Sequence, residues 1–378
     1  MLARALLGVE KVLRWKTGAT EPAKVKQVLV LEYMLPLGSC VHLTPLFEAM
    51  KIARPDVRIA VATRGLGAQV LRHSPFVDQL IETPDPLTDL WGAVRALRGR
   101  LSALKIEADW VWTGASDQRT RIALLGMLAA SGSRGGYTVN SGLYQRPLEY
   151  DRGASLIANN LRLAELVSGR VEVLEPRVFF SQHDAEAMQA LVQEVNPEER
   201  PLAVMVTQNS GGQATGWHTE RFSLVIRHAA ELGCAVAYVG TSGDKSAIEG
   251  IRAAAGGIGV SVAGQTSVTE LAALLAMSDA MVTLDTGTMH VGRAVKAPMV
   301  VLGPSWQRPI EWLPLTVESV RILRGEDRDT VPENYRLDEI SAESAIDAFD
   351  DLLRAYPPDA MARATRVEQS LSAVDHLS

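Results

Sequence analysis

Short apolar runs alternate with helical stretches along almost the whole chain, and the alternation is interrupted once. Such runs, bounded by turn residues, read as buried strands, and the helices between them serve as the crossovers of a parallel sheet. The first series places strands at 27–31 (QVLVL), 58–62, 78–82, 109–112 and 134–139, with helices at 41–52, 66–72, 87–104, 118–130 and 154–167. Residues 171–180 read as a linker, followed by a helix at 184–195 that Asn196-Pro197 ends. The alternation then restarts, with strands at 202–206, 235–239, 258–262, 280–284 and 299–302 and helices at 220–231, 245–255, 268–277 and 289–295. This order predicts an α/β protein of two Rossmann-like, doubly wound parallel-sheet domains facing a cleft.

The predicted organisation is an N-terminal amphipathic arm (1–24), a first domain (25–175), a second domain (176–340), a helix over 341–356 returning to the first domain, and a flexible tail (357–378). Two domains suit 378 residues. The arm sets Leu2, Leu6, Val9 and Leu13 against Arg4, Lys11, Arg14 and Lys16, as in a helix lying on an anionic membrane surface; alternatively it is a disordered or core-docked arm. No run is long enough to span a bilayer, and the start lacks a convincing cleavage signal. Two cysteines far apart, Cys40 and Cys234, suggest a reducing cytoplasm and give no zinc spacing. Charge is uneven: residues 1–180 hold 23 Lys and Arg against 17 Asp and Glu, the remainder 15 against 27. A basic first half suits a membrane or an anionic substrate. Its scattered cations and few aromatics argue against nucleic acid.

The segment 280–305 (AMVTLDTGTMHVGRAVKAPMVVLGPS) is the most telling. A buried strand turns at Asp285-Thr286-Gly287-Thr288 into a helix, whose N-terminal N–H groups and dipole favour an anion, most often phosphate. Asp285 falls at the strand's carboxyl end, where open α/β sheets bind ligands. Alternatively, Asp285 or a neighbouring threonine is only a helix cap. The first strand is followed by no Gly-x-Gly-x-x-Gly fingerprint, and no Walker A sequence occurs.

Three blocks together resemble glycosyltransferase family 9, the heptosyltransferase-like enzymes of GT-B architecture. The first is VLVLEYMLPLGSCVHLTPLFEAMKIARPDVRIAVAT with HSPFVDQLIE, the second VMVTQNSGGQATGWHTERFSLVIRHAAELGCAVAYVGTSGD, and the third VAGQTSVTELAALLAMSDAMVTLDTGTMHVGRAVKAPMVVLGPS. The resemblance implies sugar transfer from a nucleoside-diphosphate donor, typically ADP-heptose, to a lipopolysaccharide-type or other cell-envelope glycan acceptor. It implies a donor site mainly in the second domain and an acceptor site mainly in the first, with no metal and no cofactor beyond the donor. A cytoplasmic protein making peripheral contact with the inner membrane surface is expected.

On this reading Thr286, Gly287 and Thr288 meet the diphosphate, and Asp285 accepts from sugar hydroxyls. His290 either assists the phosphates or packs. Thr207, Gln208 and Asn209 open a loop reaching Gly212 that wraps the diphosphate. Asp244 meets the ribose or caps the helix at Lys245, and Thr266, between Gln265 and Ser267, borders the base or caps the next helix. Arg119 and Arg121 resemble the place where the family contacts anionic acceptors; otherwise they are a solvated helix start.

Two departures from the family stand out. Members usually carry Gly-Asp after the first strand, the aspartate being the general base, whereas this chain has Gly38-Ser39. A serine hydroxyl is a poor base alone, which leaves His42 and Glu32 as candidates beside Ser39. A lysine two residues before the tryptophan of the second block is also replaced, by Thr215, leaving His218, Arg221 and Arg293 as possible cations. These losses support an alternative: a catalytically degenerate member that binds sugar nucleotide or glycan in an assembly role. A sugar-nucleotide epimerase is a third option, disfavoured by the residue order around Asp285.

Overall fold

The computed structural model describes residues 20–34, 36–209 and 216–377. Most of the expected N-terminal arm, Thr215 and the 210–212 part of the diphosphate loop lie outside the described residues. The chain divides into two compact units, the first ending at Pro176 but including Val374 onward, the second running from Arg177 to Ala373.

In the first unit six strands form one parallel sheet: β1 (Gln27–Leu31), β2 (Arg58–Thr63), β3 (Gln79–Glu82), β4 (Trp110–Thr113), β5 (Ser133–Gly136) and β6 (Arg146–Pro147), in the order β3-β2-β1-β4-β5-β6. The helices are α1 (Leu37–Ala53), α2 (Leu66–Leu71), α3 (Leu90–Ala103), α4 (Thr120–Ala129) and α5 (Leu156–Ser168). Leu29, Leu31, Ala60, Ala62 and Val111 pack against Ala93, Val94 and Leu97 of α3 and Ile122 and Leu125 of α4. Val28 and Val30 are buried as well, so both faces of the sheet are covered. That is why these strands read as unbroken apolar runs rather than alternating ones.

The helix expected from Val41 begins at Leu37. Pro36 occupies its N-cap, and its carbonyl accepts from the N–H groups of Ser39 and Cys40. Gly38-Ser39 is therefore the first helical turn and not a loop. Pro45 lies inside α1 and cannot donate to Val41; the Thr44 hydroxyl takes over that carbonyl at 2.9 Å.

The second unit repeats the plan with β7 (Leu202–Val206), β8 (Ala235–Tyr238), β9 (Val260–Ser261), β10 (Ala280–Leu284), β11 (Met299–Leu302) and β12 (Val320–Leu323), all parallel in the order β12-β11-β10-β7-β8-β9. Its helices are α6 (Gln182–Val195), α7 (Thr219–Glu231), α8 (Lys245–Ala254), α9 (Val268–Ala276), α10 (Gly287–Ala294), α11 (Pro309–Trp312), α12 (Ala342–Ala355) and α13 (Ala360–Ser370). Met205, Tyr238, Val282 and Val300 pack beneath Phe222 and Ile226 of α7 and Phe349 and Leu352 of α12. The helix expected over 341–356 packs on the sheet of its own unit.

The region expected to be a flexible tail is also ordered. Helix α13 is held by polar contacts: Arg363 Nη1 lies 2.6 and 2.8 Å from the carboxylate oxygens of buried Asp279, and Arg366 donates to the carbonyls of Ala276 and Ser278. Those carbonyls end α9, where a guanidinium also complements the helix dipole. Phe180, at the end of the expected linker, pairs with Leu371. The last residues then join the first unit, with Asp375 accepting from Arg72 at 2.8 and 3.0 Å.

Candidate functional site

In the second unit the strand order reverses between β7 and β10: β8 and β9 lie on one side, β11 and β12 on the other. Ligands of doubly wound sheets bind at the carboxyl ends of strands flanking such a reversal. Thr283 of β10 is paired with Val206 of β7, so the chain beyond Leu284 and the chain beyond Val206 leave the sheet side by side. This brings Thr207, Gln208 and Asn209 next to Asp285–Thr288.

Asp285 is 7% exposed, and burial pushes its carboxyl up to about 6. Thr286 is the N-cap of α10 in extended conformation, yet its hydroxyl makes no capping bond and is buried without a hydrogen-bond partner. The first turn of α10 therefore keeps its N–H groups free of a side-chain cap, with half-buried Gly287 and Thr288 leading it. Gly292 lets the helix lie close on β10, because a Cβ there would fall 2.6 Å from Met281 Sδ. A buried carboxylate beside an uncapped helix N-terminus can accept from hydroxyls while the helix holds a phosphate.

His290, one turn on, is 4% exposed, and burial pushes its imidazole down to about 3, aided by Arg293. It packs near Trp312, with ring centroids 6.0 Å apart. A neutral imidazole can offer a hydrogen bond to a phosphate but no charge. Thr207 is buried and its hydroxyl accepts from the Gln208 amide at 3.4 Å.

Asp244 neither caps α8 nor stands free: its Oδ2 accepts from the N–H and hydroxyl of Thr241, both at 2.7 Å. Ser267, not Thr266, caps α9 and forms a reciprocal pair with Glu270. Thr266 precedes the cap, half-buried. The loops bearing the two meet where Gly264 donates to the carbonyl of Gly240 at 2.8 Å.

Two of the expected cations are used elsewhere. His218 Nε2 lies 2.7 Å from Asp338 Oδ1, and Arg221 donates to the carbonyls of Asp338 and Ile340 at 2.9 and 2.5 Å. Trp217 donates to the same Ile340 carbonyl at 3.0 Å. These side chains fasten residues 337–340 to α7. Arg293, on α10, is half-buried.

In the first unit the reversal falls between β1 and β4, whose ends Leu31 and Thr113 are paired. Glu32 follows β1 and is 1% exposed. Its Oε1 accepts from Met34 N at 3.1 Å, and its Oε2 makes no hydrogen bond. Burial, then the nearby charge of Asp117, raise its carboxyl well above the ordinary range; the Met34 N–H, Arg119 and the Ser116 hydroxyl oppose this. Asp117, fully buried, accepts from Tyr33 N at 3.0 Å and from Arg119 Nε at 2.7 Å. Arg119 also donates to the Tyr33 carbonyl at 3.2 Å. It thus clamps the loop after β1. Arg121 is exposed and donates to the carbonyl of Leu87.

Ser39 and His42 are each 1% exposed on α1, and the His42 carbonyl accepts from Asn160. Asp117 is the residue that sequence reasoning missed. The signal was available: a carboxylate in Gly-Ala-Ser-Asp directly after the strand at 110–113.

The family model of glycosyltransferase family 9 (heptosyltransferase) matches residues 119–338. Lipooligosaccharide heptosyltransferase 2 of Haemophilus influenzae is 28% identical over 167 residues, 41% of this chain and 48% of that protein, so the chain spans about half the length of this curated relative. Among solved structures, a family 9 glycosyl transferase from Veillonella parvula superposes with a TM-score of 0.77 at 19% identity, covering 87% of this chain and 98% of that one. ADP-heptose lps heptosyltransferase II of E. coli gives 0.72 at 19% identity, covering 88% and 99%. E. coli heptosyltransferase WaaC with ADP-2-deoxy-2-fluoro heptose gives 0.62 at 17%, covering 86% and 99%. At these identities the structures establish the GT-B fold, and the family match covers more than half of the sequence: the chain belongs to glycosyltransferase family 9 (heptosyltransferase).

Proposed function

We propose that the chain is a glycosyltransferase moving a heptose-like sugar from a nucleoside-diphosphate donor to a lipopolysaccharide or other cell-envelope glycan. The observation that carries this reading is the Asp285–Thr288 turn at the second unit's strand reversal, with its uncapped helix start and buried carboxylate. The diphosphate lies on the N–H groups of Gly287 and Thr288 and on the Thr286 hydroxyl. Asp285 accepts from sugar hydroxyls, and Thr207 to Asn209 border the phosphates. The solved relative carrying ADP-2-deoxy-2-fluoro heptose supports ADP-heptose as the donor type.

In the reaction the acceptor hydroxyl oxygen bonds to the donor's anomeric carbon, the bond to the diphosphate breaks, and the hydroxyl proton passes to a base. We assign the base to Glu32 ahead of Ser39 and His42. It is a carboxylate at the strand reversal, one of its oxygens is unpaired, and its environment strengthens its hold on a proton. Arg119 orders the Tyr33 segment beside it. No described helix is long and apolar enough to cross a membrane, which suits a protein working in the cytoplasm at the membrane surface.

The test is titration calorimetry with ADP, UDP and GDP, followed by donor turnover on a crude glycolipid acceptor. ADP binding that Thr286→Val weakens, together with turnover, supports the reading. No binding of any of the three at millimolar concentration overturns it.

A further inference from the structure

Helix α3 turns an unusual face to solvent. Its inner face, Ala93, Val94, Leu97 and Leu101, is buried in the first unit's core. Its outer face carries Trp91, Arg95 and Arg98, spaced at i, i+4 and i+7 and therefore aligned in one stripe. Trp91 is 58% exposed, an uncommon position for so large an apolar side chain. Arg95, Arg98, Arg100 and Lys105 are all exposed, no acidic residue lies between Leu90 and Ile106, and no ion pair engages these four cations among the described residues. Elsewhere in the unit, exposed Lys26 is paired with Asp56 and half-buried Arg64 with Asp85. Four like charges on one short segment raise a local positive potential that attracts an anionic partner.

We propose that this face of α3 docks on an anionic phospholipid surface. An indole suits the interfacial zone, where its ring meets the acyl boundary and its N–H stays wet. Arginines beside it reach lipid phosphates while their stems cover apolar surface. The stripe begins at the N-terminal end of α3, just beyond the carboxyl end of β3. That is the edge of the sheet from which Glu32 emerges, so a lipid-borne acceptor would be presented on the correct edge. The inference rests on the glycolipid-acceptor reading only for why a membrane is at hand; the docking itself needs no donor or acceptor.

Flotation of the full-length protein with phosphatidylglycerol vesicles, and with phosphatidylcholine vesicles as the neutral control, tests it. Binding is expected to phosphatidylglycerol alone and to weaken as salt is raised. Arg95→Gln/Arg98→Gln should bind about 30-fold more weakly, at about fivefold per basic residue near the surface. Trp91→Ala should also lower binding. These residues are exposed and touch no part of the donor or base constellation, so circular dichroism and ADP affinity should match the parent. Undiminished binding of the double variant would place the contact elsewhere, for example on residues 1–19, and overturn the proposal. Retention of heparin or RNA without vesicle binding also overturns it. Loss of vesicle binding with ADP affinity intact separates this proposal from the donor-site reading.

Discussion

His290 Nε2 lies 3.8 Å from Asp285 Oδ1, and burial drives the two groups in opposite directions, the carboxyl up to about 6 and the imidazole down to about 3. Both shifts disfavour the charged form. At neutral pH the carboxylate is ionised and the imidazole is not, so the contact is a polar one and not an ion pair. The turn at Asp285 therefore presents a negative group that ligand hydroxyls can satisfy, with no cation at His290 to neutralise it.

An acid limb in stability follows from His290. A depressed folded-state value contributes stability above the unfolded value near 6.5, lost as pH falls towards 3. At ~1.4 kcal/mol per pH unit the loss is at most of order 5 kcal/mol. Urea unfolding measured across this range should show a slope that His290→Asn flattens. An unchanged slope in the variant would place the acid sensitivity in other groups.

Asp285 acts with the opposite sign. Its folded-state value is raised, so its contribution is fully present below about 3.8 and is lost as pH rises through about 6. Asp285→Asn removes a buried charge and should unfold at higher temperature at pH 8, by roughly 3 kcal/mol at most. If Asp285 accepts from the sugar hydroxyls as proposed, the same variant should lose affinity for the sugar nucleotide and keep it for ADP. Equal loss for both ligands would move Asp285 from the sugar to the phosphates.

The parallel strands and the break near residue 176 were legible because buried strands of a doubly wound sheet are apolar on both faces, as Val28 to Leu31 are. Helix α13 was not, because Arg363 and Arg366 dock it through carboxylate and carbonyl groups, and no apolar period marks it. The edge strand β12 was hidden by Arg321 in a four-residue run. The place of Asp285 at the carboxyl end of β10 was visible from the strand-turn-helix order alone. The partnerships of Asp117, Arg119 and Arg221 were not, since each joins elements far apart in sequence. A charged residue near a motif looks available until its carbonyl or carboxylate partner is seen.

Arg221 makes that point testable. It donates to the backbone carbonyls of residues 338 and 340, the latter of which also accepts from Trp217. Hydrogen bonds from a charged donor contribute about 1.5–3 kcal/mol. Arg221→Ala should lower stability by about that amount and leave ADP affinity unchanged once folded. A large fall in ADP affinity at unchanged stability would return Arg221 to the phosphate site.

Glu32 offers the sharpest division between an active enzyme and a degenerate one. Burial and the charge of Asp117 raise its carboxyl well above the ordinary range, so it holds its proton to a higher pH than a free carboxyl does. Turnover should climb with pH along a single-proton limb, and stability should fall over the same interval, since a raised carboxyl favours the folded state at low pH. Glu32→Gln keeps the size and the Met34 contact while removing the titration. It should fold at least as stably at neutral pH, bind ADP normally, and lose about 100-fold or more in turnover together with the pH limb. Ser39→Asp is the complement. If Glu32 is the base, the new carboxylate, 1% exposed where Ser39 now sits, restores nothing to Glu32→Gln. If it does restore turnover, the proton belongs at the first turn of α1 and the parent protein is the degenerate member.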